Sequence, residues 1–187
     1  MTENFQRVND EFVSGNPIEI RPLQESDITK LEPILRQHIR DSETGEVIES
    51  EVTSVKGYMV GKEDEYGRTR RYLVARSGDQ VLGCMAYSEM DPDMVKHFDD
   101  IEPDEAVELL NAFVNANVFR GGGVGKKLLQ GVCDAAKAEG KKFLTIHSGP
   151  RYKKSWGFYD HLTDKSRGFI ENKYGKGRHA KTWLKQL

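Results

Sequence analysis

Arg120–Gly125 reads R-G-G-G-V-G, set between an apolar run ending at Phe119 and a helical run that begins Lys126-Lys127-Leu128-Leu129. Gly121, Gly122, Gly123 and Gly125 carry no side chain to keep a ligand away from the backbone N–H groups. The next residues place apolar side chains at Val124, Leu128, Leu129, Val132, Ala135 and Ala136, which is helical spacing over Val124–Glu139. A glycine loop that opens a helix turns free N–H groups and the positive end of the helix dipole toward one point. Such a point suits a phosphate or pyrophosphate.

Spacing separates the glycine loops that bind phosphate. A Walker loop needs G-x-x-x-x-G-K-[ST], yet Arg120 stands at its first glycine and Lys127 at its metal-binding hydroxyl. A dinucleotide loop needs G-x-G-x-x-G, and counting from Gly121 and Gly123 puts Lys126 at the last glycine. Arg120, Gly123 and Gly125 do fill [R/Q]-x-x-G-x-[G/A]. This resembles the acyl-CoA pyrophosphate loop of the GNAT N-acetyltransferase superfamily. The resemblance implies that Arg120, Gly121, Gly122, Gly123, Val124, Gly125 and Lys126 bind the cofactor. Lys126 and Lys127 point about 100° apart on a helix, so only one can serve a given phosphate.

Outward from the loop, Ile18–Pro22 alternates as a half-buried strand does, and Ser26 is placed to cap a helix over Asp27–Arg40. Glu49–Val60 follows as a weaker helix. Arg71–Arg76 and Gln80–Ser88 read as a hairpin about Ser77-Gly78-Asp79, and Leu109–Phe119 as the strand entering the loop. Beyond the helix come a glycine cap at Gly140, a strand over Lys142–His147, a short helix over Tyr152–Leu162, and closing strands at Gly168–Asn172 and His179–Leu184. The order β-α-α-β-β-β-α-β-α-β-β matches the GNAT order from about Ile18 to the end. It implies an α/β (α+β) fold whose mixed, mostly antiparallel sheet carries helices on both faces. Residues 16–187 form a single domain behind a polar arm, residues 1–15.

A second motif lies at the family's distance. Phe158-Tyr159 looks like the first half of [F/L]-Y-x-x-x-G-F, with the Gly-Phe pair displaced to Gly168-Phe169. By resemblance Tyr159 protonates the leaving CoA thiolate. The strand before the loop would carry a bulge and offer backbone groups at Val114 and Asn115; the family usually has an apolar residue at the latter, so Asn115 departs from it. Tyr152 stands where the family commonly has Asn, and that contact does not carry over. The general base stays open between Glu89, after the strand Gln80–Ser88, and Glu108, before the next. As carboxylates at strand ends both are expected to be solvent-exposed. His147, at the end of the strand Lys142–His147, offers an imidazole for the same work.

The chain has 187 residues, 37% hydrophobic and 31% charged, which suits one solvated enzyme domain. No apolar run reaches the ~18 residues of a membrane span, and no signal-peptide pattern opens the chain. Cys84 and Cys133 form no CxxC pattern, so a reducing cytoplasm is expected, with no disulfide framework and no metal. Net charge is −2, unevenly spread. Glu89–Glu108 holds nine acidic residues and one lysine, as an irregular excursion, while Arg151–Leu187 holds ten basic residues and three acidic ones. In the GNAT layout the acidic stretch lies near the acceptor, which motivates a small cationic amine taking an acetyl group directly from acetyl-CoA. The alternatives are a protein N-terminus or lysine as acceptor, or an inactive CoA-binding module. A pI near 6.2 and the lack of a compact basic run argue against nucleic acid. A homodimer is the default for such domains.

Overall fold

The computed structural model describes residues 12–13, 16–117 and 123–187. Within the expected arm, β1 (Phe12–Val13) pairs with β2 (Asn16–Pro17) as a separate two-stranded ribbon; the rest of the arm lies outside the described residues. The main sheet contains β3 (Glu19–Pro22), β4 (Arg71–Ser77), β5 (Gln80–Ser88), β6 (Ala106–Val114), β7 (Phe143–Ser148), β8 (Lys165–Ile170) and β9 (Ala180–Gln186). Its order is β3-β4-β5-β6-β7-β9-β8, and β6–β7 is the one parallel pair among the described residues. A mixed, mostly antiparallel sheet was expected and is found.

Helices cover both faces. Leu128, Leu129, Val132 and Ala136 of α4 (Val124–Ala138) pack on Leu73, Leu82, Val107, Leu144 and Ile146. The opposite face receives α1 (Glu25–His38) and α2 (Glu49–Met59), whose Leu31, Leu35 and Val55 meet Val74, Cys84 and Phe113. Both cysteines are free and buried. No helix among the described residues is long and apolar enough to cross a membrane.

Five expectations need correction. The acidic excursion contains α3 (Pro92–His97) and a 3-10 turn (Pro103–Glu105). Asp91 caps α3 by accepting from the Met94 amide at 2.8 Å, and Pro92 sits in the first turn, where no N–H is needed. The strand before the glycine loop starts at Ala106, not Leu109, which places Glu108 inside it. The short helix after β7 is a 3-10 turn (Pro150–Ser155) followed by α5 (Trp156–Leu162), and β8 starts at Lys165 rather than Gly168. Finally, α1 begins at Glu25 behind Gln24, so Ser26 is not its cap.

Asp27 serves that helix end instead. Its carboxylate accepts from the Gln24 amide at 3.0 Å and pairs with Arg21 at 2.8 Å and Arg76 at 3.7 Å, tying α1 to β3 and β4. Burial acts to raise its pKa, but Arg21, the Gln24 amide and Arg76 outweigh it and hold the carboxyl below its ordinary value. A lowered folded pKa gives stability that is present above the unfolded value of ~3.9 and is lost as pH falls through the folded one. Asp27→Asn is therefore expected to cost about 2 kcal/mol at pH 7, a difference that shrinks as pH drops below about 4. Urea melts of both proteins at pH 7 and pH 3 would measure it.

Candidate active site

The parallel pairing of β6 and β7 runs from Ala106↔Phe143 to Leu109↔Ile146 and stops. Beyond that point β6 continues on β5 and β7 continues on β9, so the sheet splits between them. A bulge drives the split: register shifts opposite Cys84–Ala86, and Asn111 adopts φ +45°, outside the region non-glycine residues favour. Arg70 and the Tyr72 hydroxyl, at 2.7 Å, both donate to the Asn111 side chain and fix the bulge. Gly83 faces it, and a Cβ there would lie 2.4 Å from the Phe113 carbonyl oxygen.

Three segments meet beside the split on the α4 face. A Cβ on Gly125 would come within 3.3 Å of the Phe158 ring and 3.9 Å of Val114. Gly123 takes φ +69° immediately before α4, and its carbonyl accepts the first helical bond from Lys127 at 2.8 Å. Val124 is buried and Lys126 exposed. Arg120, Gly121 and Gly122 lie outside the described residues. The Asn115 amide is engaged by the Leu82 carbonyl at 2.8 Å and the Ala116 amide by Gln37 at 2.8 Å, while the Val114 carbonyl meets His38 at 2.6 Å. Any ligand contact from Asn115 must then use its side chain or carbonyl.

Tyr159 lies on the same face, 6% exposed, with its ring 5.1 Å from that of Trp183. Burial pushes its phenol up to about 12.

Comparison with known proteins agrees with this geometry. The model of the acetyltransferase (GNAT) family matches residues 34–163. The chain belongs to the GNAT acetyltransferase family. Its fold is similar to that of an N-acetyltransferase from Staphylococcus aureus Mu50 (17% identity, TM-score 0.62, covering 90% of this chain and 98% of that one). It is likewise similar to the PaiA N-acetyltransferase of Thermoplasma acidophilum in complex with coenzyme A (18%, TM-score 0.61, 91% and 99%). An aminoglycoside 6'-N-acetyltransferase complexed with coenzyme A gives 14% identity and TM-score 0.64, covering 90% and 96%. No curated protein matches the sequence.

On the other face of this GNAT sheet, Glu108 corrects the expectation of an exposed carboxylate: it is fully buried. One oxygen lies 2.8 Å from His147 Nε2; the other accepts from Arg68 at 3.0 Å and from the Asp91 amide at 2.8 Å. His147 Nδ1 is 2.6 Å from the hydroxyl of Tyr174, a residue of the β8–β9 loop. Asp91 pairs with Lys173 at 2.6 Å. Ligand atoms of Asp91, Glu108 and His147 lie within 4.8 Å of one another, as in a metal site. Arg68 and Lys173 already supply the positive charge there, so the cluster is an ion-pair network. Glu89 is exposed, as expected, and pairs with Arg71 at 3.2 Å. Burial acts to raise its pKa, but hydrogen bonds from its own amide and Ser88 and the charge of Arg71 win, making it a poorer base.

Sequence reasoning missed Arg68, Asp91, Lys173 and Tyr174. Asp91-Pro92 carried a readable helix-start signal. Tyr174, within Lys173-Tyr174-Gly175-Lys176-Gly177, carried none.

The acidic stretch is met in space by basic residues from later in the chain. Asp91 and Asp93 pair with Lys173, Asp100 with Arg167, and Glu105 with Lys142. Much of the acidic stretch is thus neutralised internally.

Proposed function

We propose that the protein transfers an acetyl group from acetyl-CoA to a small primary amine by direct attack in a ternary complex. The observation that carries this reading is the split after Leu109 and Ile146, with Val114, Gly125 and Phe158 converging beside it on the α4 face. The glycine loop supplies N–H groups for the pyrophosphate at the start of α4. The thioester then lies in the split, its sulfur toward Tyr159 and its carbonyl open to the α1–α2 face. The two relatives above solved with coenzyme A support the donor, and the aminoglycoside enzyme supports a small amine acceptor.

On the acceptor side a cavity of about 450 Å³ is lined by Glu51, Tyr58, Arg70 and the bulge residue Asn111, among others. Glu51 offers a carboxylate for a cationic amine and is held by Arg151 at 3.0 Å. A cavity of about 520 Å³ between β3 and α4 is lined by Ile18, Ile20, Leu73 and Gly131. It lies away from the split.

A phenol pushed up to about 12 keeps its proton throughout the working range, so Tyr159 acts as a fixed donor to the developing thiolate. Release of free CoA thiol from acetyl-CoA in the presence of a panel of amines tests the assignment. Tyr159→Phe is expected to lower kcat by about 10²-fold with the acetyl-CoA KM little changed. If no amine releases thiol faster than buffer alone, the assignment fails.

A further inference from the structure

Amine acetylation needs a base for the incoming ammonium, and Glu108 is badly placed to be it. Its carboxylate is fully buried, and both oxygens are engaged by His147, Arg68 and the Asp91 amide. What those bonds accomplish is to orient an imidazole. With Glu108 accepting the Nε2–H of His147, Nδ1 carries the free lone pair, and the hydroxyl that reaches it belongs to Tyr174. Tyr174 is the outermost member, 37% exposed, while Glu108 is 0% exposed. The loop holds the phenol in place: its ring lies so close to Gly149 that a Cβ there would be 2.7 Å away. Because Tyr174 gives its hydrogen to His147, its oxygen keeps lone pairs for a donor from solvent or substrate.

The geometry points to a proton relay, Tyr174 to His147, that deprotonates the acceptor ammonium, with Glu108 as the positioning residue. The inference rests on the proposed acetyl transfer. The ammonium gives a proton to Tyr174 Oη as the phenol's own proton passes to His147 Nδ1. The imidazolium so formed is stabilised by Glu108. The neutral amine then attacks the thioester carbon: the C–N bond forms, the C–S bond breaks, and the thiolate takes the second amine proton by way of Tyr159. His147 returns its proton to solvent. Burial pushes the Tyr174 phenol up, reinforced by the negative charges of Glu108 and Asp91, so it conducts a proton as a neutral hydroxyl and does not wait as a phenolate. The charged groups around the relay are Glu108 on β6, Asp91 before α3, Arg151 beside Tyr152, Arg68 before β4 and Lys173 next to Tyr174.

The test compares two acceptors: an alkylamine that is an ammonium ion at the assay pH, and an O-alkylhydroxylamine of similar size that is already neutral. Tyr174→Phe should lower kcat on the alkylamine more than on the hydroxylamine, with the two losses differing by about tenfold or more. His147→Gln should show the same asymmetry, and acetyl-CoA binding by both variants should match wild type. Equal losses on both acceptors, or no loss on the alkylamine, overturn the relay while leaving acetyl transfer in place. Wild-type protein that acetylates neither these acceptors nor any of the panel overturns the transfer and the relay with it.

Discussion

Gly83→Val is expected to separate β6 from β5 and to abolish acetyl-CoA binding. A Cβ at this position would sit 2.4 Å from the Phe113 carbonyl oxygen and 2.9 Å from the Val114 Cα, both backbone atoms with no rotamer to escape into. Gly83 pairs with Val114, the residue that faces Gly125 and Phe158 beside the split. Relief of the clash must therefore move the segment that forms one wall of the slot. Overpacking against fixed backbone costs about 3 kcal/mol or more. For a domain of this size that is a fall in Tm of roughly 6–12 °C. Thermal melts and acetyl-CoA titration calorimetry would measure the two effects. A variant with wild-type Tm and affinity would show that β6 can shift freely, contrary to the bulge being locked by Arg70 and Tyr72.

Glu108→Ala should be equally damaging, through charge rather than shape. Removing the carboxylate takes the acceptor from His147, Arg68 and the Asp91 amide together, in a place water does not reach. Arg68 retains Asp64 at 2.8 Å, which limits the loss. Breaking a buried network in this way costs about 3 kcal/mol. Denaturant melts should show that loss, with activity falling at least as far as in His147→Gln. Glu108→Gln, which keeps an acceptor oxygen and the side-chain volume, should recover part of the stability. Equal stability of the Ala variant and wild type would contradict the network described here.

The α4 half of the site was legible because it is written in local chemistry. Glycines before a helical stripe and Phe158-Tyr159 at the family's distance specify their own conformations. The succession of main strands and helices along the chain was legible for the same reason. The face that carries Glu108 was not, because its residues become meaningful only through pairing across the sheet. Glu108 resembled a strand-end carboxylate, since the apolar run was counted from Leu109. Its burial depends on Arg68, which lies 40 residues away. Tyr174 sits among glycines and lysines where side chains usually face water, and only the β8–β9 connection carries it back to His147. The charge asymmetry was visible, but its internal cancellation by Lys142, Arg167 and Lys173 required the fold.

Cys84 and Cys133 are the chain's two sulfhydryls, and both lie in the packed interior. Burial pushes the Cys84 thiol up to about 12, and burial chiefly raises that of Cys133 as well. Thioester exchange proceeds through a thiolate. A catalyst that holds an activated thioester is exposed to that side reaction. Keeping its own sulfurs protonated and out of contact spares this protein self-acylation by its donor.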